Sequence, residues 1–316
     1  MVWVEHRRKK SPFFFRMLLV VCIGLGIYIL FSTLFQKPAV ISPLADTPSM
    51  TTSTKTRTSV LSVFSKKKNP DELQEKIKEA IGLTWKNYSI LVIDTTSDFK
   101  VGINEDEIFT AASVNKIPIL AALYTKAQSG EVDLDEVITL QAEDIQDYGT
   151  GSIRYEKPGT TYTIKTLAKL MMQQSDNTAA YILANHIIGI DTIQELLSSW
   201  NMTQTDMAGN KTSNADIALL MKKIYQGGIA NVASTKEMLA FFKDGEFEDR
   251  IPGALPKDVE VYHKIGTEIG IMHDVGIVAL PTTKYYIGMM VSDVTNEDET
   301  TKLMATVSKL VYDYMK

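Results

Sequence analysis

The chain has 316 residues, with 33 Lys or Arg, 38 Asp or Glu and a formal net charge of −5 at pH 7. This charge is divided unevenly: residues 1–69 hold 11 basic and 2 acidic residues, so residues 70–316 hold 22 and 36, a net charge of −14. A domain this acidic argues against a nucleic-acid partner. The single cysteine, Cys22, excludes an internal disulfide.

The N-terminal region combines a basic segment with an apolar one. Residues 1–16 carry five basic side chains, and residues 17–36 carry no charge over roughly the length of a bilayer-spanning helix. The positive-inside rule therefore predicts a cytoplasmic tail, a single transmembrane helix over 17–36, and a main domain outside the cytoplasm at the cell membrane. A cleaved signal peptide is the alternative, although its apolar core is normally shorter.

Residues 37–69 are rich in Ser, Thr and Pro and are predicted to form a flexible linker. The domain that follows, residues 70–316, is long enough for one large core or two lobes. Its apolar patterning predicts, in chain order, a helix over 70–83, strands over 88–95 and 98–104, mainly helices over 113–243, strands over 259–266, 274–280 and 284–293, and a helix over 299–315. This order predicts an α+β fold, in which five strands form one antiparallel sheet with the terminal helices on one face and an inserted helical lobe.

Three short motifs stand in order along this domain, and the first is Ser113-Val-Asn-Lys116. Ser-x-x-Lys also occurs at Ser65 and Ser97, but only Ser113 opens an apolar, helix-competent run. Pro118 suits the first turn of a helix, which is predicted to start near Ser113. Residues three apart lie on one helix face, so Lys116 is the candidate base for the Ser113 hydroxyl if burial lowers the pKa of the lysine.

The second motif, Ser175-Asp176-Asn177, is predicted to be a polar junction between helices over 164–174 and 178–188. A hydroxyl at Ser175 can pass a proton to a leaving nitrogen, the Asn177 amide can hold a substrate carbonyl, and Asp176 can brace the turn. A plain capping turn is the alternative, because Ser, Asp and Asn all favour helix starts.

The third motif, Lys264-Ile-Gly266-Thr267, lies at the end of a predicted strand. Lys264 offers a positive charge for a carboxylate, and Gly266 permits close approach of a ligand to the backbone. The backbone N–H of Thr267 suits an oxyanion hole. Alone, this motif is also compatible with an ordinary edge strand that carries a lysine.

Taken together, the motifs resemble the serine β-lactamase and penicillin-binding-protein superfamily, and most of all the class A β-lactamase catalytic domain. The resemblance covers roughly residues 70–316 and implies a β-lactamase-like fold, with the motifs meeting in a cleft between sheet and lobe. It also implies an oxyanion hole made by the backbone N–H groups of Ser113 and Thr267. The resemblance implies that Ser113 is the nucleophile and Lys116 its proton partner. It further implies that Ser175 relays the proton to the leaving nitrogen, Asn177 binds the acyl side chain and Lys264 binds the carboxylate.

Two departures from the family pattern affect the predicted chemistry. Ile265 stands where the family has a hydroxyl residue, and Thr267 can supply the missing contact. The family also carries a glutamate on a loop between the second and third motifs, which activates the water that releases the acyl group. The corresponding stretch, residues 200–214, has Asp206 as its only acidic residue and thus as its only candidate base. The resemblance therefore supports acylation better than hydrolysis.

Other candidate sites carry less information. Tyr148-Gly-Thr-Gly-Ser152 lacks the Gly-Lys-Ser/Thr ending of a phosphate loop, and Tyr148 is instead predicted to wall the cleft and stack on substrate. His263, His273 and Asp274 lie on neighbouring predicted strands, but no metal-ligand spacing repeats. We therefore predict neither a metal nor a cofactor.

The predicted function is that of a membrane-anchored serine hydrolase, with a monomeric catalytic domain that opens β-lactam rings through a Ser113 acyl-enzyme. One alternative is a D-Ala-D-Ala carboxypeptidase or transpeptidase, which shares the acylation machinery and needs no loop glutamate. Another is a non-catalytic module that binds cell wall or antibiotic.

Overall fold

The computed structural model describes residues 68–316. The predicted tail and transmembrane helix, and nearly all of the predicted linker, lie outside these residues. From Lys68 onwards, none of the helices combines the length and apolarity that crossing a bilayer requires.

The described part of the chain begins and ends with an α-helix, and most of its helices lie between an N-terminal and a C-terminal group of strands. The strands are β1 (Asn87–Asp94), β2 (Lys100–Ile103), β3 (Ile108–Thr110), β4 (Val137–Thr139), β5 (Thr161–Thr163), β6 (Lys211–Ser213), β7 (Glu260–Glu268), β8 (Ile271–Ala279) and β9 (Lys284–Ser292). The α-helices are α1 (Pro70–Ile81), α2 (Lys116–Gln128), α3 (Ile164–Gln173), α4 (Asn177–Tyr181), α5 (Ile190–Ser199), α6 (Asn214–Tyr225), α7 (Val232–Phe241) and α8 (Glu297–Met315). A π-helix over Ile182–Ile188 continues α4.

The main sheet has the strand order β2-β1-β9-β8-β7, with every neighbouring pair antiparallel. The predicted five-stranded antiparallel sheet is therefore confirmed. Strand β8 begins three residues earlier than predicted, because Ile271, Met272 and His273 pair with β7 across a tight hairpin. The pairs β3–β6 and β4–β5 form two small ribbons outside this sheet.

Each face of the sheet packs against its own hydrophobic core. One core joins the sheet to α1 and α8, and the other joins it to the helical lobe between α2 and α7. Strand β9 lies in the middle of the sheet and is covered on both faces, so its residues 285–291 are all buried. Helix α8 presents a single apolar stripe to the sheet, made by Met304, Val307, Val311 and Met315 at helical spacing.

The segment with the first motif departs from the predicted helix start. A 3₁₀ turn over Ala112–Asn115 holds Ser113, and the α-helix begins only at Lys116. Ala112 adopts a left-handed backbone conformation (φ 48°), which an α-helix cannot include. Pro118 then falls in the first turn of α2, where its missing N–H costs nothing.

The first described residues lie against the end of α8. The Lys68 ammonium donates to the carbonyl of Met315 over 2.6 Å, and the Asn69 N–H donates to the Tyr314 hydroxyl over 2.9 Å. The Asn69 side chain also caps α1 by accepting from the Asp71 N–H over 3.0 Å. The two ends of the domain are therefore adjacent.

Candidate active site

The turn that carries Ser113 packs directly against strand β7. A Cβ atom added at Gly266 would lie 3.1 Å from the Ala111 carbonyl oxygen and 3.2 Å from the Ala112 Cβ. Such distances are shorter than side-chain carbons normally tolerate, so glycine is what allows the strand to approach the turn this closely. On the other side of the turn, the Ala111 N–H donates to the Asn210 carbonyl over 2.8 Å.

Lys116 is buried and points at both serines of the first two motifs. Its Nζ lies 3.0 Å from Ser113 Oγ, 3.1 Å from Ser175 Oγ and 2.5 Å from the Ser175 carbonyl oxygen. The Asn177 Oδ1 is a further acceptor at 2.8 Å. Burial lowers the pKa of Lys116 to about 7, although the nearby Asp176 carboxylate partly opposes the shift. A neutral amine at this place can take the proton of Ser113.

Ser175 connects the two lysines of the cleft. Its backbone is left-handed (φ 55°), and its Oγ also accepts from Lys264 Nζ over 2.9 Å. Burial, together with the positive charge of Lys116, holds the pKa of Lys264 well below its usual value. The structure thus links Ser113, Lys116, Ser175 and Lys264 in one hydrogen-bonded chain, through which a proton can pass.

Asp176 holds the second motif in place from beneath. Its Oδ1 accepts from the Ala179 N–H and its Oδ2 from the Ile153 N–H, both over 2.9 Å, and only 1% of the residue is exposed. The first contact caps α4, and the second fixes the neighbouring loop.

Replacing Asp176 with alanine should reduce the free energy of unfolding by about 2–4 kcal/mol, because two buried N–H groups lose their acceptor. Guanidinium unfolding followed by tryptophan fluorescence measures this change. Asp298, an exposed acidic residue in the first turn of α8, supplies the matched control, and its replacement with alanine should cost under about 1 kcal/mol. Equal losses in the two variants would contradict the bracing role of Asp176.

The loop that contains Tyr148 forms one wall beside the second motif. The Tyr148 carbonyl accepts from Asn177 Nδ2 over 3.2 Å, and the Thr150 hydroxyl donates to the Ser175 carbonyl over 2.9 Å. Gly149 is left-handed (φ 72°), and a Cβ there would lie 2.3 Å from Asn177 Nδ2. The Tyr148 side chain is 63% exposed, so its ring is accessible.

Arg250 contacts the third motif, although the sequence did not indicate it. Its guanidinium is buried and donates to the carbonyl oxygens of Gly266 (3.1 Å) and His273 (2.7 Å). It also donates to the Thr267 hydroxyl over 2.6 Å. Arg250 precedes a short 3₁₀ helix and belongs to no recognisable motif, so only the folded chain shows that it reaches the end of β7.

Asp206 is not brought to this cluster. Its side chain is exposed and its Oδ1 accepts from the Gly209 N–H of its own turn over 3.0 Å, while its backbone pairs with Lys211. Across residues 68–316, Lys116 forms no ion pair with any carboxylate. Instead, the Asn210 side chain of this short loop accepts from Asn115 Nδ2 over 2.9 Å, next to the Ser113 turn.

The two histidines considered as metal ligands have separate partners. His263 Nδ1 lies 2.8 Å from Asp274 Oδ1, whereas His273 contacts the Thr110 carbonyl oxygen through Nε2 over 2.8 Å. His273 Nδ1 accepts from the Val291 N–H over 3.2 Å, so both of its nitrogens are engaged. In the part of the chain that the structure describes, no three His, Cys, Asp or Glu residues form a group that could hold a metal ion.

The fold and the arrangement of the three motifs define a serine hydrolase of the β-lactamase type. Residues 57–315 match the beta-lactamase enzyme family, and the chain belongs to that family.

Two curated relatives named as β-lactamases share low sequence identity with this chain. The chain is 24% identical to beta-lactamase VEB-1 of Pseudomonas aeruginosa over 274 residues, which cover 77% of this chain and 90% of that protein. It is 26% identical to a beta-lactamase of Bacteroides uniformis over 241 residues, which cover 67% and 81%.

Solved structures show the same architecture. The structure of PBP-A has a TM-score of 0.71 at 30% identity, covering 77% of this chain and 95% of PBP-A. A mutant of PBP-A, solved as an acyl-enzyme complex with penicillin G, also has a TM-score of 0.71, at 29% identity, and the match covers 77% of this chain and 96% of that one. The predicted family and β-lactamase-like fold are therefore confirmed.

Proposed function

We propose that this protein is a membrane-anchored, extracytoplasmic acyl-serine enzyme that β-lactams acylate at Ser113 and that releases the acyl group slowly. The observation that carries the proposal is the position of Lys116, buried between Ser113 Oγ and Ser175 Oγ, with no carboxylate of the described residues within ion-pair distance of its amine. This arrangement favours formation of the acyl-enzyme over its hydrolysis, which needs a second base.

In the acylation step, neutral Lys116 takes the proton of Ser113 as Ser113 Oγ attacks the carbonyl carbon of the β-lactam. The backbone N–H groups of Ser113 and Thr267 receive the developing oxyanion. The ring C–N bond then breaks, and the leaving nitrogen takes the proton of Ser175. Lys116, now protonated and 3.1 Å from Ser175 Oγ, returns a proton to that hydroxyl. The enzyme thereby regains its proton balance with the acyl group on Ser113.

Substrate recognition involves the polar groups beside Ser113 and Lys116. Lys264 and the Thr267 hydroxyl supply positive charge and a donor for the substrate carboxylate. The Asn177 amide faces the acyl side chain, and the exposed ring of Tyr148 provides a stacking surface at the wall of the cleft.

Deacylation requires a base that activates water beside the acyl-enzyme. Asp206 is turned into its own loop, and Asn210 of that loop instead contacts the segment next to Ser113. Within residues 68–316, Lys116 is then the only base in contact with Ser113 Oγ, so release of the acyl group is expected to be the slow step.

A D-Ala-D-Ala carboxypeptidase or transpeptidase is the second candidate. It is favoured by the same missing carboxylate, because a peptidase of this kind uses the acylation groups alone. The 30% identity with PBP-A over 95% of that chain supports it as well. A non-catalytic binding module is disfavoured, because it has no need of a buried lysine 3.0 Å from a serine hydroxyl.

The test uses the purified protein, a chromogenic cephalosporin and intact-protein mass spectrometry. We expect a burst of about one equivalent of colour and a stable adduct, which the Ser113→Ala variant lacks and a Ser129→Ala control keeps. Continuous colour far beyond one equivalent would show rapid hydrolysis and overturn slow release. The absence of both colour and adduct would overturn acylation.

The proposed anchor over 17–36 rests on its uncharged length and on the basic residues that precede it. Extraction of the full chain from membranes by high-salt washing, without detergent, would contradict it.

A further inference from the structure

A buried carboxylate on β8 connects the two chain segments that carry cations to the cleft. Asp274 is fully buried; its Oδ1 lies 2.8 Å from His263 Nδ1, and its Oδ2 accepts from the Ile251 N–H over 2.8 Å. His263 immediately precedes Lys264, and Ile251 immediately follows Arg250. One side chain therefore fixes the backbone beside both cations.

Asp274 does not touch the cleft itself. Side chains alternate along a strand, so His263 and Lys264 point to opposite faces of β7. Residues that share a face with Asp274, such as Met272 and Val278, belong to the core beneath α1 and α8. The carboxylate thus acts on the cleft from behind the sheet.

The charge of Asp274 acts on several titratable side chains around it. Burial opposes a charge on His263, but Asp274 and Glu248 on either side of the ring outweigh burial and raise the pKa of His263 to about 9. Burial lowers the pKa of Arg250 and of Lys264, and the charge of Asp274 partly opposes this by favouring their protonated forms. Burial and, to a smaller extent, the charge of Asp274 raise the pKa of the Tyr286 hydroxyl.

Arg250 carries the effect to the mouth of the cleft. A guanidinium only donates hydrogen bonds, so the Thr267 hydroxyl must accept from Arg250 Nη2. The hydroxyl proton of Thr267 is then free to donate to a ligand. Ile265, the second residue of the third motif, has no hydroxyl. In this orientation Thr267 therefore supplies a neutral hydrogen-bond donor for a carboxylate.

We propose that Asp274 is a positioning residue for recognition of the substrate carboxylate: it holds the Arg250 segment against the end of β7 and balances the buried cations Arg250 and Lys264. This inference rests on the proposed function of the cleft. The group recognised is a carboxylate on the carbon bonded to the scissile amide nitrogen, as in a penicillin or a C-terminal D-amino acid.

The test compares Asp274→Asn with the wild-type full chain, using benzylpenicillin and its methyl ester. Asparagine keeps the shape but removes the negative charge and offers one acceptor oxygen in place of two, so Ile251 keeps its acceptor only if His263 becomes neutral and accepts from the asparagine NH2 group. Asp94→Asn is the matched control, because Asp94 is also a buried carboxylate that accepts from a nearby N–H, but it lies on β1, three strands from β7. The same proteins are labelled with ¹³C-lysine, and the Lys264 signal is assigned by its loss in Lys264→Arg.

We expect Asp274→Asn to slow acylation by benzylpenicillin at least about tenfold and to leave the methyl ester within about twofold. The pKa of Lys264 should fall further, because Asp274 is the group that raises it. Asp94→Asn should change neither quantity. Equal slowing of acid and ester, or an unchanged Lys264 titration, would overturn the proposal.

Two further outcomes are decided by the same measurements. If neither compound acylates the wild-type protein, the proposed function fails and the inference that rests on it fails as well. If the wild-type protein is acylated and Asp274→Asn reacts with the acid at the wild-type rate, only the positioning role is overturned. If Asp274→Asn does not fold, Thr267→Val replaces an exposed side chain and must show the same loss for the acid alone; an unchanged rate with the acid would then overturn the proposal.

Discussion

Replacing Lys116 with alanine is expected to slow acylation of Ser113 by about 10²–10⁴-fold, because the serine loses its general base. The described residues offer no substitute base. The amine of the other lysine in the hydrogen-bonded network, Lys264 Nζ, contacts Ser175 Oγ and not Ser113 Oγ. The rate constant for adduct formation with a β-lactam, followed by stopped flow and mass spectrometry, measures the effect.

Two controls separate loss of the base from loss of structure. The exposed Lys169 on α3 can be replaced with alanine without contact to the cleft, and its variant should acylate within about twofold of the wild-type rate. A small primary amine added to Lys116→Ala should restore part of the rate, since it can enter the space left by the side chain. An unaffected rate in Lys116→Ala would remove Lys116 from the mechanism.

The second large effect concerns pH. Lys116 has its pKa lowered from its ordinary value to about 7 by burial, so it is charged below that pH and neutral above it. Acylation needs the neutral amine, and its rate should therefore rise about tenfold per pH unit well below pH 7, roughly fiftyfold from pH 5 to pH 7, and level off above about pH 8.

This limb of the pH profile has a sharp test. It should disappear in Lys116→Ala and move to lower pH when Asp176 is replaced with asparagine, because Asp176 is the charge that raises the pKa of Lys116. A rate that is flat from pH 5 to pH 8 in the wild-type protein would contradict a lysine base with this pKa.

The main elements of the fold could be predicted from local pattern. Strands β7 and β9 and helix α8 appear in the sequence as apolar runs with strand or helix periodicity. Their observed first and last residues all lie within two residues of the predicted ones. The start of α2 was less predictable, because the left-handed conformation of Ala112 depends on packing against β7 and on the Asn210 carbonyl, both distant in sequence.

The candidate site divides in the same way. The resemblance to the β-lactamase family was enough to predict that Ser113, Lys116, Ser175 and Lys264 lie together, whereas the spacing within each motif relates only residues that are close in sequence. Arg250 reaches the end of β7 only through the packing of distant segments, and no local pattern identifies it. The sequence places Asp274 and His263 on neighbouring strands, but the contact of Asp274 with Ile251 depends on the fold. The prediction for Asp206 depended on the path of a short loop, which periodicity does not encode.

The adjacency of Lys68 and Asn69 to the end of α8 has a consequence for the connectivity of the chain. Two ends within hydrogen-bond distance can be joined by a few residues without bending either helix, so the domain is suited to circular permutation. New termini then fit best in an exposed turn such as the one between α6 and α7. A permuted chain would keep every contact of the catalytic cluster while exchanging which half of the domain is synthesised first.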